Sequence, residues 1–385
     1  MFPLILILIV ASAGFSHAIN QWMYNYSRKA GIQSKDENTL RWESSPKPTV
    51  GGISFYATFL LAAIVYFLTQ PHDWGQEHEM YITLGVVTLG FLVGLHDDAY
   101  ETKPLIKFLG QLSCGLILIG FDLGINLFGV WPVDHFLTLF WVVGIMNSIN
   151  LLDNMDGVTG MVSLTIVLAT ILRIVLLDGN AAMNPSLFIL IASVGSHLAF
   201  LRMNHKPSKI YMGDTGSQFL GALLAVVGIK FFWNFEVGGR ALDWHTRAIV
   251  PVMIFLVPIM DTTFVTIART MRGQSPFVGG KDHLTHHMTY LGISDSLVPY
   301  VLSLVSIASG LLAVLGLRYL PTWPVVQTSI FVSYIIVIFV IFYLLYRLGE
   351  RSSKVNQQFA QNLEPGFKEE WQRAEYVAEE AQRHP

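Results

Sequence analysis

Five groups of polar residues interrupt an otherwise apolar chain, and their types suit phosphate and metal chemistry. The run Gly94-Leu95-His96-Asp97-Asp98 sets two carboxylates side by side, an arrangement that repels itself unless a cation or a proton lies between them. Asn147, Asn150, Asp153 and Asp156 recur every third residue up to Gly157, so they drift slowly around a helix and stay near one face. Asp214 stands between Gly213 and Gly216, after Asn204, Lys206 and Lys209. Glycines there let a ligand approach the backbone, the free N–H groups of a helix start favour an anion, and the carboxylate offers oxygen to a hard metal. His283, His286 and His287 follow Pro276-Phe277 and Lys281-Asp282. Zinc comes to mind first, but no cysteine pair or HExxH pattern accompanies them, and imidazoles beside Lys281 suit a phosphate-rich substrate better. The last group is basic: Lys47 precedes Pro48-Thr49-Val50-Gly51-Gly52, and Lys107 sits one turn into a helix opened by Pro104.

Each group alone has a plainer reading. Paired aspartates can be a solvated helix end, an asparagine row can glue helices together, Asp214 can be an N-cap, and either lysine can snorkel to the interface. Their common position argues against all of these together, and that position comes from the elements that carry them.

Of the 385 residues, 52% are hydrophobic and 13% charged, with a mean hydropathy of +0.50, which places the chain in a bilayer. Runs long enough to cross about 30 Å of hydrocarbon lie near 2–20, 50–69, 80–96, 105–121, 136–152, 160–177, 185–201, 214–232, 248–268, 297–316 and 326–346, giving an all-α, polytopic bundle of about eleven helices. The first run has no basic residue before it and Arg28, Lys29, Lys35, Arg41 and Lys47 after it, the reverse of a signal peptide, so it reads as a retained helix with its N-terminus outside, although the small residues at 11–18 leave cleavage open. Alternating the loops from there puts Lys103, Arg202, Lys206, Lys209, Arg269, Arg272, Lys281, Arg347, Arg351 and Lys354 on one side, the cytoplasmic one. The C-terminus is then cytoplasmic, and all five polar groups fall on that face of the inner membrane. Residues 1–346 form the membrane domain and 347–385 a charged cytoplasmic tail, suited to a surface helix or a partly disordered end. The lone Cys114 permits no internal disulfide, and a net charge of -3 gives no reason to expect a nucleic-acid partner. Acids, amides and cations converging at a membrane face suit Mg²⁺-assisted phosphoryl transfer, with Mn²⁺ as the substitute ion.

The motifs PTVGG, GLHDD, NSINLLDNMDG, YMGDTGS, PIMDT at 258–262 and the histidine loop, in that order over roughly 40–295, resemble the polyprenyl-phosphate N-acetylhexosamine-1-phosphate transferase family, glycosyltransferases of the family 4 type. The resemblance implies attack of undecaprenyl phosphate on the β-phosphorus of a UDP-N-acetylhexosamine, with Mg²⁺ on the pyrophosphate and UMP released. It implies Asp214 and Asn150 as metal ligands and Asp97 and Asp98 as the acids beside the attacking phosphate. Lys47, Lys107, Asn147, Asp153, Asp156, Asn204, His283, His286 and His287 become the substrate-binding set. The spaced histidines are similar to the UDP-GlcNAc branch, whereas the UDP-MurNAc-pentapeptide branch carries three in succession; here Leu284-Thr285 adds one residue to the His-x-His-His run frequent in the former. Membrane lipid is a further partner and a homodimer is compatible with such a bundle. The rivals are a transporter, whose acids belong near the midplane, and a terpenoid synthase, resting on Asp97-Asp98 alone.

Overall fold

The computed structural model describes residues 2–30, 47–69, 74–178, 184–237, 240–241, 243–275, 280, 282–319 and 325–362. Pro276, Phe277, Lys281, Lys35, Arg41 and the tail beyond Asn362 lie outside the described residues. The helices are α1 (Phe2–Ala30), α2 (Gly51–Thr69), α3 (Trp74–Tyr100), α4 (Pro104–Gly120), α5 (Trp131–Leu152), α6 (Val158–Leu177), α7 (Pro185–Asn204), α8 (Gly213–Gly228, continued by a π-helical turn Ile229–Trp233), α9 (Trp244–Ile254), α10 (Leu256–Met271), α11 (Leu284–Tyr290), α12 (Val298–Tyr319) and α13 (Val325–Asn362). A ribbon of Glu236–Val237 against Arg240–Ala241 precedes α9.

Among the described residues, nine helices are long and apolar enough to cross a membrane, α4 is a shorter apolar helix, and α9 with α10 makes one bent pair. Each of the eleven runs in the sequence therefore has its element, and the chain is a multi-pass membrane protein. Nearly every residue of α8 is buried, and it packs against α3, α5 and α2. It is the central post of the bundle.

Two elements differ from the sequence expectation. The run at 248–268 is not one straight span: α9 and α10 meet at Phe255 with an 81° bend. Pro251 and Pro258 flank the break, and proline removes a ladder donor and crowds the preceding turn. The last span does not stop at 346 either. Its helix continues to Asn362, supported on its polar extension by Glu350 pairing with Arg347 at 3.3 Å and Lys354 at 2.8 Å, the spacings at which helix side chains meet.

Candidate active site

The site begins with a backbone junction. The segment before α2 lies beside the segment before α8 as a parallel bridge, Thr49 with Tyr211, secured by Tyr211 N to Pro48 O, Gly51 N to Tyr211 O and Gly52 N to Met212 O, each 3.0 Å. The glycines allow it: a Cβ on Gly52 would collide with the Gly216 backbone, and one on Gly94 with the Asp214 carbonyl. With no side chain at 94, α3 touches α8, and the next turn of α3 delivers Asp97 and Asp98 to the start of α8.

Asp98 caps α8 from outside. Its Oδ1 accepts from Asp214 N at 2.9 Å, and its Oδ2 accepts from Thr215 N at 2.8 Å and Thr215 Oγ1 at 2.6 Å. Orphan N–H donors of a first turn and the positive end of a helix dipole both favour a carboxylate. Gly213 must be glycine on two counts, a φ of +74° and Asp98 Oδ2 2.7 Å from where a Cβ would stand. The cap reading of Asp214 is thereby replaced: another helix supplies the cap, and the Asp214 side chain is turned to a different task.

That task is shared around Lys107. Its Nζ donates to Asp97 Oδ2 at 2.6 Å, Asp214 Oδ2 at 3.0 Å and Asn150 Oδ1 at 3.2 Å. Asp97 is steadied by Thr102 N on its Oδ1 at 2.9 Å. Asn150 donates to Asp214 Oδ1 at 2.5 Å and Ser217 Oγ at 2.8 Å. Four helices thus meet at one ammonium, from the ends of α3 and α5 and the starts of α4 and α8. Two carboxylates against one ammonium leave an excess negative charge in a part-buried place, where Coulomb interactions outweigh their value in water. Beneath it, Asn147 pairs with Gln111 at 2.8 Å and Gln111 with Gln218 at 3.0 Å, so Asn147 does act as interhelical glue.

A second group lies beside it. Lys47 donates to Ser208 Oγ at 2.8 Å and lies 3.4 Å from Asp156 Oδ2, which accepts from Ser208 at 2.5 Å. Its Nζ also stands 5.2 Å from the Tyr211 ring centroid. Buried Asn204 has both ends of its amide on backbone, accepting from Gly157 N and donating to Ile210 O at 2.9 Å each. It fixes the turn at Gly157, whose φ is +80°. Asp153 is the half-buried residue at the end of α5.

The histidines sit on and before α11, which is tied to this turn by Thr285 Oγ1 on Asn154 Oδ1 at 2.5 Å. His283 Nδ1 lies 3.0 Å from Asp261 Oδ2, and Leu284 N donates to Asp261 Oδ1 at 2.8 Å. His286 meets His283 edge-on at 5.6 Å between centroids. His287 turns the other way, onto Tyr346 at 4.0 Å, and lines a cleft of about 340 Å³ between α10 and α13. Burial pushes its imidazole down to about 4, so it is neutral at pH 7. Burial would raise the Asp282 carboxyl, yet Arg272 at 2.7 Å and Arg269 at 3.2 Å hold it below the usual range.

Asp261, Arg269, Arg272, Ser208 and Ser217 join these groups without a local pattern in the sequence that assigns them a role. An acid inside the PIMDT stretch was the visible signal for Asp261, and buried Arg269 counted there only as loop charge. Among the described residues no three of His, Cys, Asp and Glu form a metal cluster. The oxygens around Lys107 are a different donor set: two carboxylates and an amide oxygen, hard ligands of the kind Mg²⁺ accepts before substrate phosphates and water complete its shell.

The helix ends of this membrane bundle gather acids, an amide and lysines around one point. The model of glycosyl transferase family 4 matches residues 80–232, from within α3 to the turn after α8, and so contains the whole Lys107 node. Over that region the chain is similar to that family. It is 28% identical to a probable undecaprenyl-phosphate N-acetylglucosaminyl 1-phosphate transferase of Bacillus subtilis (strain 168), over 81% of this chain and 82% of that protein. It is 26% identical to the undecaprenyl-phosphate alpha-N-acetylglucosaminyl 1-phosphate transferase of Escherichia coli (strain K12), over 77% and 80%. A phospho-N-acetylmuramoyl-pentapeptide-transferase of Limosilactobacillus reuteri (strain DSM 20016) is 27% identical over 76% and 90%.

Proposed function

We propose that this chain transfers GlcNAc-1-phosphate from UDP-GlcNAc to undecaprenyl phosphate and releases UMP, starting a lipid-linked surface glycan. The single observation that carries the reading is the Lys107 node, where Asp97, Asp214 and Asn150 converge within 3.2 Å of one ammonium. The names of the Bacillus and Escherichia relatives and the spaced histidines favour GlcNAc over the pentapeptide sugar.

In the transfer, an oxygen of the lipid phosphate bonds to the β-phosphorus while the bond from that phosphorus to the bridging oxygen breaks and leaves with UMP. A phosphate monoester with a second pKa near 6 is already largely ionised at neutral pH, so no carboxylate has to act as base. Lys107 neutralises phosphate charge, Asp97 holds it in place, and Asp98 fixes the α8 start so that Asp214 faces the same point. Asp214 and Asn150 are the residues to hold Mg²⁺, with Asp97 beside them, and the ion supplies charge neutralisation on the pyrophosphate. Lys47 and His283, each already oriented by a carboxylate, serve the remaining phosphate and sugar contacts. The basic loops share this end of the bundle, which supports a reaction on the cytoplasmic face of a bacterial inner membrane.

The test is direct. Membranes carrying the chain are given UDP-GlcNAc labelled in the sugar, undecaprenyl phosphate and Mg²⁺, and label in extractable lipid is compared with UMP. Equal amounts of each are expected. Label entering lipid only from UDP-MurNAc-pentapeptide would move the chain to the other branch, and no transfer from any of the UDP-sugars would contradict the reading.

A further inference from the structure

The histidine helix α11 has seven residues, too few to hold its shape or place unaided, so something outside it must set where His283 and His286 stand. Asp261 secures its N-terminal end. Its other side rests on the C-terminal half of α13. Tyr346 leans on His287 at 4.0 Å between ring centroids, tilted by 54°, and on Phe264 of α10 at 5.8 Å. Gly349 faces the backbone of the same histidine so closely that an added Cβ would run into His287 O and lie 2.7 Å from His287 Cβ. Ser352 Oγ then donates to Tyr290 O at 2.9 Å, satisfying a carbonyl at the end of α11 that its own helix leaves unpaired.

We infer that the C-terminal half of α13 is a brace for the histidine loop, with Tyr346, Gly349 and Ser352 as positioning residues and His287 as the anchor they grip. This rests on the reading that the loop serves the transfer site. It separates two of the histidines by role: His283 is oriented by Asp261, and His287 faces the brace. It also gives the charged extension of the last helix a function that composition alone did not assign.

Gly349→Ala separates this from general damage, because alanine favours helix and the change acts only through the space taken from His287. The variants are Gly349→Ala, Tyr346→Ala and Tyr346→Phe in the full chain. Two measurements are made: amide hydrogen exchange over 282–290 against that over α8, and turnover with whichever of UDP-GlcNAc, UDP-GalNAc and UDP-MurNAc-pentapeptide the parent chain uses. Gly349→Ala and Tyr346→Ala are expected to speed exchange of the α11 amides about tenfold with α8 unchanged, and to raise the KM for the nucleotide sugar about tenfold. Tyr346→Phe, which keeps the ring, should match the parent. Unchanged exchange and KM in Gly349→Ala would overturn the brace, as would exchange raised equally in α8. His283→Ala separates the two ideas: full activity there would reject the loop's part in the site, whereas loss there with a parent-like Gly349→Ala would reject the brace alone.

Discussion

Asp98 uses both carboxylate oxygens on the start of a helix it does not belong to, so its neighbour Asp97 is the one left to face Lys107. Two adjacent acids thereby have separate work, one shaping the backbone and one holding a cation. Asn keeps one acceptor oxygen for such a cap and Ala keeps none, so Asp98→Ala is expected to lower stability by about 1–2 kcal/mol and transfer at least tenfold, with Asp98→Asn intermediate in both. Thermal unfolding and transfer rate of the purified variants check this. His287 supplies a second prediction at this scale. Its ring is held down to about 4 in the folded protein, against about 6.5 in an unfolded chain. The unfolded state therefore binds the extra proton first, and stability contributed by the neutral ring is complete above about pH 6.5 and falls as pH drops toward 4. The unfolding temperature should decline over that window, and His287→Phe, which keeps a ring against Tyr346, should flatten the decline.

At the scale of elements, the site depends on close backbone approach more than on any one side chain. Gly52 against Gly216 and Gly94 against Asp214 set α2, α3 and α8 at the separation that the Asp98 cap requires. Gly52→Leu overpacks that junction and is expected to cost about 1–3 kcal/mol or more, read as a lower unfolding temperature together with lost activity. Here the sequence was readable in part. All eleven apolar runs became elements because hydropathy alone decides a span, and Asp97, Asn150 and Asp214 met because each marked a helix end on one face. Contacts between distant segments left no such signature. Nothing local tells that Asp98 caps α8, that Asp261 grips His283, or that both ends of the Asn204 amide serve backbone. The bend at Phe255 had a local cause in Pro251 and Pro258, but proline is common in membrane helices and does not by itself fix an angle.

For the whole molecule, the alternation of helices carries the argument from site to side. The starts of α2, α4 and α8 and the ends of α3, α5 and α7 all meet at the site, so connections such as 121–130 lie at the opposite end. With Cys114 buried and replaced by alanine, single cysteines at exposed Gln274 and Asn126 should react with an impermeant maleimide from opposite faces, Asn126→Cys in intact cells and Gln274→Cys only after the membrane is opened. Labelling of both from outside would reverse or break the assigned topology.

The central claim is that the oxygens of Asp214, Asn150 and Asp97 around Lys107 form the place where phosphate and Mg²⁺ are held. Its most direct measurement is transfer rate against Mg²⁺ concentration for the parent chain and for Asp214→Asn, which keeps shape and removes charge. Parent activity is expected to be abolished by EDTA and restored by Mg²⁺, and the variant to be at least a hundredfold slower and to need more Mg²⁺ for its remaining rate. A folded Asp214→Asn variant with the parent's rate and the parent's Mg²⁺ curve would contradict the claim.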